Sequence, residues 1–355
     1  MTTRRFIAGL CSTVLALAVA VHARAGDATV RVPLVIGLTT IRSVAETQGD
    51  YESIRTYTAV TKESYGFVNR AEVPDGPGRG TREIKIVRSV PVTDQRHART
   101  MRNRFNVGDP EIFPGTTPGV SADIVNELRA AGTAPMTFLD VRQMFGMTAE
   151  KSLKGSVTRV GSGAEEFSLL VNGRRVSLRA LHAKGRLGDA SGTHEVEFHV
   201  LDDPDNPLML SASGPGFTSR ITRIEYPEPA GSATSIERTL AANKPVDVYG
   251  IYFAFGSATL RPESDRVLQE VADLLVKHPD WRLQIDGHTD NIGGDPANVD
   301  LSRRRAAAVS AALVQRYAIA GGRFATGGFG AGRPKDTNET IEGRALNRRV
   351  ELRRL

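Results

Sequence analysis

Cysteine is almost absent from this sequence of 355 residues, since Cys11 is the only one. It lies in an N-terminal segment that we predict is removed, so the mature chain would hold no thiol. A chain without thiols excludes disulfides, thiolate metal sites and cysteine nucleophiles. Aromatic residues make up only 6% of the chain. Their scarcity argues against an outer-membrane barrel, because such barrels carry aromatic girdles at both membrane interfaces.

The N-terminal segment lacks the length of a membrane-spanning helix but has the three parts of a secretory signal. Two arginines, a run of 16 apolar residues and a small-x-small site follow one another at residues 4–5, 6–21 and 23–25. A spanning helix needs about 20 apolar residues. We therefore predict a signal peptide over residues 1–25. An uncleaved membrane anchor is the alternative.

The charge balance excludes a nucleic-acid partner. The formal net charge is +6, and it falls to +3 without the three arginines of the signal segment. Nucleic-acid-binding domains show a much stronger basic excess. One basic run is predicted to be a solvated loop, with an acidic polymer or lipid headgroups as the alternative partner. This run contains Arg96, His97, Arg99, Arg102 and Arg104.

Motifs of catalysis are also missing. A nucleophile elbow, a phosphate loop and a dinucleotide fingerprint do not occur in a structural context that fits them. His194 and His199 are five residues apart in a predicted strand, so they fall on opposite faces and do not form a metal-binding pair. We therefore predict that the protein is not an enzyme and has no cofactor and no metal site.

The chain is predicted to be an α+β protein of two domains. Residues 26–226 alternate in hydrophobicity as a mainly antiparallel β domain does, with Asn172-Gly173 as a hairpin turn. Ser121 caps one predicted helix that ends at Gly132, and a second short helix is predicted over residues 138–145. Residues 227–245 are predicted to be a linker with a short helix-like run at 235–241, because they contain Pro, Gly and Ser and separate the two patterns.

Residues 246–355 alternate strands with helices, which predicts helices packed on one mixed sheet. The predicted order is a strand at 248–255, a helix at 263–277, a strand at 282–285, a helix at 301–317, a strand at 324–329 and a strand at 349–352. A polar loop, residues 287–293, joins the second strand to the second helix and contains Asp290. Short loops of this kind gather ligand-binding groups at the carboxyl ends of strands.

Helical phase separates three consecutive arginines in the second helix. With about 100° per residue, Arg305 falls in the apolar arc, whereas Arg303 and Arg304 fall outside it. A charge in an apolar stripe needs a partner. Arg305 therefore forms either a structural ion pair with Asp290 or, together with Asp290, a site for a ligand that carries one cation and one anion.

Residues from about 248 to 355 resemble the OmpA-like peptidoglycan-binding domain. Four spaced motifs in the family's order carry this resemblance. They are Ile251-Tyr252-Phe253-Ala254-Phe255-Gly256-Ser257-Ala258, the Gly-His-Thr-Asp-x-x-Gly loop followed by Asn298, Leu301-Ser302-x-x-Arg305-Ala306, and Asn347-Arg348-Arg349-Val350-Glu351. The first motif departs from the family pattern, which often has an acid or Asn where this chain has Ala254 and Gly256.

The resemblance implies a site for diaminopimelate of the cell-wall stem peptide. In the family, the loop Asp holds the amine and the second-motif Arg holds the carboxylate, which correspond to Asp290 and Arg305 here. Asn298 is expected to contact the ligand or to brace the loop. The N-terminus of the second helix, expected near Asp300, would add free amides to the carboxylate site.

We therefore predict non-catalytic peptidoglycan binding by an exported envelope protein of Gram-negative type. It would be periplasmic and associated with the cell wall, with peripheral attachment to the outer membrane left open. The domain would anchor or position the N-terminal domain, whose partner is expected to be an outer-membrane or other envelope protein. The alternative is a wall-tethered enzyme, or a lipid- or partner-binding protein, whose activity lies in the N-terminal domain.

Overall fold

A computed structural model describes residues 31–76, 80–102, 111–112, 114–117, 119–144, 147–227 and 234–355. The predicted signal segment lies outside these residues. The α+β prediction is confirmed, with a large, mainly antiparallel sheet followed by a small mixed sheet that carries helices. The predicted boundaries at 226 and 246 remain predictions. In the described part of the chain, no helix combines the length and apolar character needed to cross a membrane.

The large sheet has 12 strands in the described residues, in the order β4-β3-β2-β1-β12-β11-β10-β9-β7-β6-β5, and β8 pairs with both β12 and β9. Its strands are β1 (Thr39–Glu46), β2 (Gly49–Val60), β3 (Ser64–Pro74), β4 (Thr81–Pro91), β5 (Thr100–Arg102), β6 (Thr133–Met144), β7 (Met147–Arg159), β8 (Glu165–Val171), β9 (Arg174–Asp189), β10 (Gly192–Leu201), β11 (Met209–Gly214) and β12 (Phe217–Glu225). Helices α1 (Val92–His97) and α2 (Ala122–Ala130) lie between strands of this sheet.

Local sequence signals account for two features of this region. The Ser121 side chain accepts a hydrogen bond from the Ile124 amide and so caps α2, as predicted. Asn172 and Gly173 have φ angles of 45° and 74°, the left-handed values that a tight hairpin turn between β8 and β9 requires. The helix predicted at residues 138–145 is wrong. Residues 138–144 belong to β6, whose twelve residues pair in unbroken register with β7, and residue 145 lies outside the described residues. Ladder pairing overrides the local pattern.

Two apolar clusters stabilise the large sheet. One packs α2 onto the sheet through Ile124, Val125 and Leu128. The other is built around side chains such as Phe67 and Leu178. The basic run is not a single solvated loop. Arg96 and His97 are exposed at the end of α1, Arg102 is 2% exposed in β5, and Arg104 lies outside the described residues.

The small sheet has the order β13-β16-β14-β15 and is mixed, since β14 runs parallel to β15 and antiparallel to β16. Its strands are β13 (Val246–Val248), β14 (Leu283–Gly287), β15 (Phe324–Gly328) and β16 (Val350–Arg354). Helices α3 (Ser235–Ala241), α4 (Asp265–Lys277), α5 (Asp295–Tyr317) and α6 (Ile341–Asn347) accompany it. Helix α3 lies in the stretch predicted as a linker, and its Ile236 and Leu240 belong to the core of this sheet.

Two element boundaries in this region differ from the prediction. The strand predicted at 248–255 is wrong except at Val248, where β13 ends, and an isolated bridge joins Phe253 to Leu260 further on. Helix α5 begins at Asp295, before the predicted start at residue 301, after Gly294 as its N-cap residue. The amides near Asp300 are therefore inside the helix. The expected helix terminus near Asp300, with free amides for a ligand, is wrong.

Candidate functional site

Asp290 lies in the loop that follows β14, at the carboxyl end of the parallel strand pair β14–β15. One carboxylate oxygen, Oδ1, accepts a hydrogen bond from the Ile292 amide at 3.1 Å. The other, Oδ2, accepts one from Nη1 of Arg348 at 2.7 Å. The side chain of Asp290 is 11% exposed. The carboxylate is thus held in a fixed position near the surface, with lone pairs left for a further donor.

Arg305 projects from α5, about three turns after the helix begins. Its Nε donates to the carbonyl oxygen of Ser257 at 2.9 Å, and its guanidinium lies 4.9 Å from the centre of the Phe253 ring. Both contacts come from the first family-like motif. That motif therefore contributes a backbone carbonyl and a ring to the site, although it lacks the usual polar side chains.

The guanidinium of Arg305 has no carboxylate within ion-pair distance among the described residues. Burial and then the nearby charge of Arg348 lower the pKa of Arg305 to about 10, while Asp290 acts in the opposite direction. Arg305 therefore stays charged at neutral pH. The structural Asp290–Arg305 ion pair, one of the two alternatives left open by the sequence, is not present. Asp290 pairs with Arg348 instead.

The predicted helical phase of the three arginines is confirmed. Arg303 and Arg304 are exposed and both pair with Asp300, which lies about one turn earlier in α5. Arg305 is half-buried on the inner side of the helix. Only the third arginine therefore faces the loop that contains Asp290.

Asn298 is buried and braces the loop. Its side-chain amide donates to the carbonyl oxygens of Asp290 at 3.1 Å and of Ile292 at 3.0 Å. Both donor hydrogens are therefore used to hold the loop against α5. Of the two predicted roles, the geometry favours loop brace over ligand contact.

Asn347 orders the far side of the site, a role that sequence reasoning missed. It is fully buried, and its side-chain oxygen accepts from the amides of Lys335 and Asp336. Its amide nitrogen donates to the Asn338 side chain, which in turn accepts from the Asn291 amide beside Asp290. An Asn at the start of the last family-like motif was the available signal.

Arg348 and Arg349 have different roles. Arg349 is 7% exposed and pairs with Asp247, so it is structural. Arg348 joins Asp290 to Glu52 of the large sheet, with N–O distances of 2.7 and 3.7 Å. The adjacent positions gave no basis for predicting which arginine reaches the site.

His288 is a buried structural residue. It is 3% exposed and stacks on Phe329 with 5.5 Å between ring centres. Burial, and next the charge of Arg349, lowers the pKa of His288 to about 4. The ring is therefore neutral at neutral pH and does not supply a cation to the site.

A glycine sets the close approach of α5 to the site. A Cβ at Gly287 would lie 2.1 Å from the carbonyl oxygen of Ser302, which is backbone and cannot give way. We expect Gly287→Ala to lower the free energy of unfolding by about 1–3 kcal/mol or more, measured by urea denaturation. Gly322→Ala is the control, because nothing lies within 4 Å of its added Cβ. Equal stability of the two variants would contradict the packing described.

Comparison with known proteins identifies this part of the chain. Residues 252–348 match the family model described as OmpA family. These residues form an OmpA family domain. The match runs from residue 252 to residue 348, so it includes the loop with Asp290, helix α5 and Arg348.

Two curated proteins and one solved structure illustrate the similarity of the OmpA family domain. The chain is 41% identical over 101 residues to "Outer membrane porin F" of Pseudomonas aeruginosa, covering 28% of this chain and 29% of that protein. It is 42% identical over 134 residues to "Peptidoglycan-binding protein ArfA" of Mycobacterium tuberculosis, covering 37% of this chain and 40% of that protein. The solved cell wall anchor of the T6SS from Pseudomonas aeruginosa is 36% identical, covers 30% of this chain and 76% of its own, and has a TM-score of 0.27. The chain thus spans less than half the length of these two curated relatives.

Proposed function

We propose that the OmpA family domain binds the diaminopimelate of the peptidoglycan stem peptide, reversibly and without bond breaking. The observation that carries the proposal is the guanidinium of Arg305, which stays charged beside Asp290 and lacks a carboxylate partner among the described residues. A ligand carboxylate would supply this partner in the planar two-point geometry that arginine favours.

The charges of the site fit a zwitterionic amino-acid centre. Arg305 and Arg348 repel each other, and a carboxylate placed next to them removes this repulsion. Asp290 still has acceptor capacity for an ammonium after its bonds to Ile292 and Arg348. Diaminopimelate presents both groups on one carbon at the end of its side chain, so Asp290 takes the ammonium and Arg305 the carboxylate.

The names of the relatives support an envelope location. ArfA is a peptidoglycan-binding protein and porin F an outer membrane protein. We place this protein in the periplasm, exported by the signal segment over residues 1–25 and associated with the wall through its C-terminal domain, residues 246–355. The N-terminal domain, residues 26–226, would then be positioned near an outer-membrane or other envelope protein.

The test is co-sedimentation of the exported protein with purified sacculi of two kinds. One kind carries diaminopimelate in its stem peptides, and the other carries lysine, which has the ammonium but lacks the terminal carboxylate. We expect binding to the first kind only, with release by free diaminopimelate and not by Nα-acetyl-lysine amide, which has the side-chain ammonium but no free carboxylate. Equal binding to both kinds would reject the role of Arg305, and binding to neither would reject wall binding.

A further inference from the structure

Three side chains of the large sheet form a cluster that is separate from the proposed peptidoglycan site at Asp290 and Arg305. Glu165 begins β8, His182 lies in β9 and His199 lies in β10. One potential ligand atom from each lies within 4.8 Å of the other two. We predicted no metal site from the sequence because only His194 and His199 were considered as a pair. In the structure, His199 lies opposite His182 of the neighbouring strand.

Strand register places the three residues on one face of the sheet. His182 and His199 are directly opposite each other in the β9–β10 ladder. Glu165 is opposite Ala180 in the β8–β9 ladder, two residues from His182, so its side chain shares the face of His182. The cluster is therefore fixed by backbone pairing on both sides of β9.

Each histidine presents one ring nitrogen to Glu165 and uses the other for an outer partner. His199 Nε2 and His182 Nδ1 lie 2.8 and 3.9 Å from the same Glu165 oxygen, Oε1. The second nitrogen of His182 contacts Glu197 at 2.7 Å, and that of His199 contacts the Ser211 hydroxyl at 2.8 Å. Metal-binding histidines have outer acceptors of this kind, which fix the tautomer so that the inward nitrogen carries the lone pair.

The spacing of the inward atoms suits a small divalent ion. Ligand atoms about 2.0–2.1 Å from zinc in a tetrahedral site lie about 3.3 Å apart, which falls between the observed 2.8 and 3.9 Å. The two rings are stacked 4.3 Å apart with 12° between their planes. Binding of one ion therefore requires each ring to turn about its Cβ–Cγ bond until both lone pairs point at the ion.

We propose that Glu165, His182 and His199 bind a divalent transition-metal ion of the zinc class. Two imidazoles and one carboxylate favour zinc, copper or nickel over magnesium or calcium, which prefer oxygen ligands alone. Glu197 and Ser211 are positioning residues that act through the two rings. Lys184 pairs with Glu197 at 3.2 Å, so the charge of Glu197 is balanced and it is not a ligand.

The test is a titration of the full-length, tag-free protein with zinc chloride after removal of metals by a chelator, followed by isothermal calorimetry. We expect one equivalent to bind, and His199→Ala and Glu165→Gln each to weaken binding at least about tenfold, because each removes one of three ligands. Because the Glu165 side chain is half exposed, Glu165→Gln is the variant expected to keep the wild-type fold. His194→Ala, five residues away in β10, is the matched control and is expected to bind as the wild type does.

A second readout separates ligands from positioning residues. Cobalt(II) in place of zinc should give the intense visible absorption of a site with nitrogen ligands in low coordination, and His182→Ala should abolish it. Ser211→Ala should keep the spectrum and weaken binding, since its contact is with the outer nitrogen of His199. Zinc binding that is unchanged in both Glu165→Gln and His199→Ala, or the same loss in His194→Ala, would overturn the proposal.

Discussion

Asp290→Ala and Arg305→Ala are each expected to weaken binding to diaminopimelate-containing sacculi by about 10-fold to more than 100-fold. The reason is that each removes one charge-assisted interaction, which contributes about 1.5–3 kcal/mol. The affinity is measured by co-sedimentation at a series of protein concentrations. Arg305→Lys should also bind weakly, because a lysine ammonium keeps the charge but not the planar pair of donors that a carboxylate accepts.

The neighbouring arginine supplies the control for this prediction. Arg304 is one residue away on α5, is 52% exposed and pairs with Asp300 on the outer face of the helix. Arg304→Ala should therefore bind sacculi as the wild type does. Unfolding midpoints of all variants show whether the fold is retained. If Asp290→Ala and Arg305→Ala are both folded and bind with wild-type affinity, Asp290 and Arg305 do not form the binding site.

Features of this fold that depend on a few adjacent residues were predictable. The cap at Ser121 and the turn at Asn172-Gly173 are set by local chemistry, and both are present. Strand pairing between distant residues caused the error at residues 138–144, where the ladder with β7 determines the structure. The early start of α5 had a signal that was not used, since Pro296 stands in its first turn, where proline is favoured.

The candidate site could be predicted only as far as one helix face and one loop define it. Periodicity selected Arg305 among three arginines, because burial follows helical phase. The partner of Asp290 is 58 positions away in sequence and comes from the residue after α6. Sheet order β13-β16-β14-β15 brings that residue beside the loop, and no local pattern encodes this order.

A buried ionic cluster connects Asp290 and Arg348 to the large sheet. The carboxylate of Glu52 in β2 accepts hydrogen bonds from both terminal nitrogens of Arg223 at 3.4 Å. Its Oε1 also lies 3.7 Å from Nη2 of Arg348. Arg223 is 3% exposed and lies beside the rings of Tyr249 and Tyr252. Tyr252 also packs on Ile41 and Ile54, so an apolar contact accompanies the ion pairs between the two sheets.

Glu52→Ala is expected to lower the free energy of unfolding by about 3–5 kcal/mol, because it leaves the guanidinium of Arg223 buried without its carboxylate. The measurement is urea denaturation at neutral pH. Glu83→Ala is the control, since Glu83 is an exposed acid of the same sheet, and it should change stability by less than about 0.5 kcal/mol. Similar losses in the two variants would show that the cluster does not stabilise the junction.

The same cluster predicts the direction of a pH effect. Burial raises the pKa of Glu52, but Arg223 and Arg348 together lower it by more, so it lies below its ordinary value of 4.5. A carboxylate with a lowered pKa stabilises the fold above its unfolded pKa, and this stabilisation is lost as the pH falls through the folded value. The difference in unfolding free energy between wild type and Glu52→Gln should thus be constant above about pH 5 and shrink below about pH 4.5. Taking the difference cancels the pH dependence that comes from groups common to both proteins, such as His288. A difference in unfolding free energy that stays constant at low pH would contradict the ion pair.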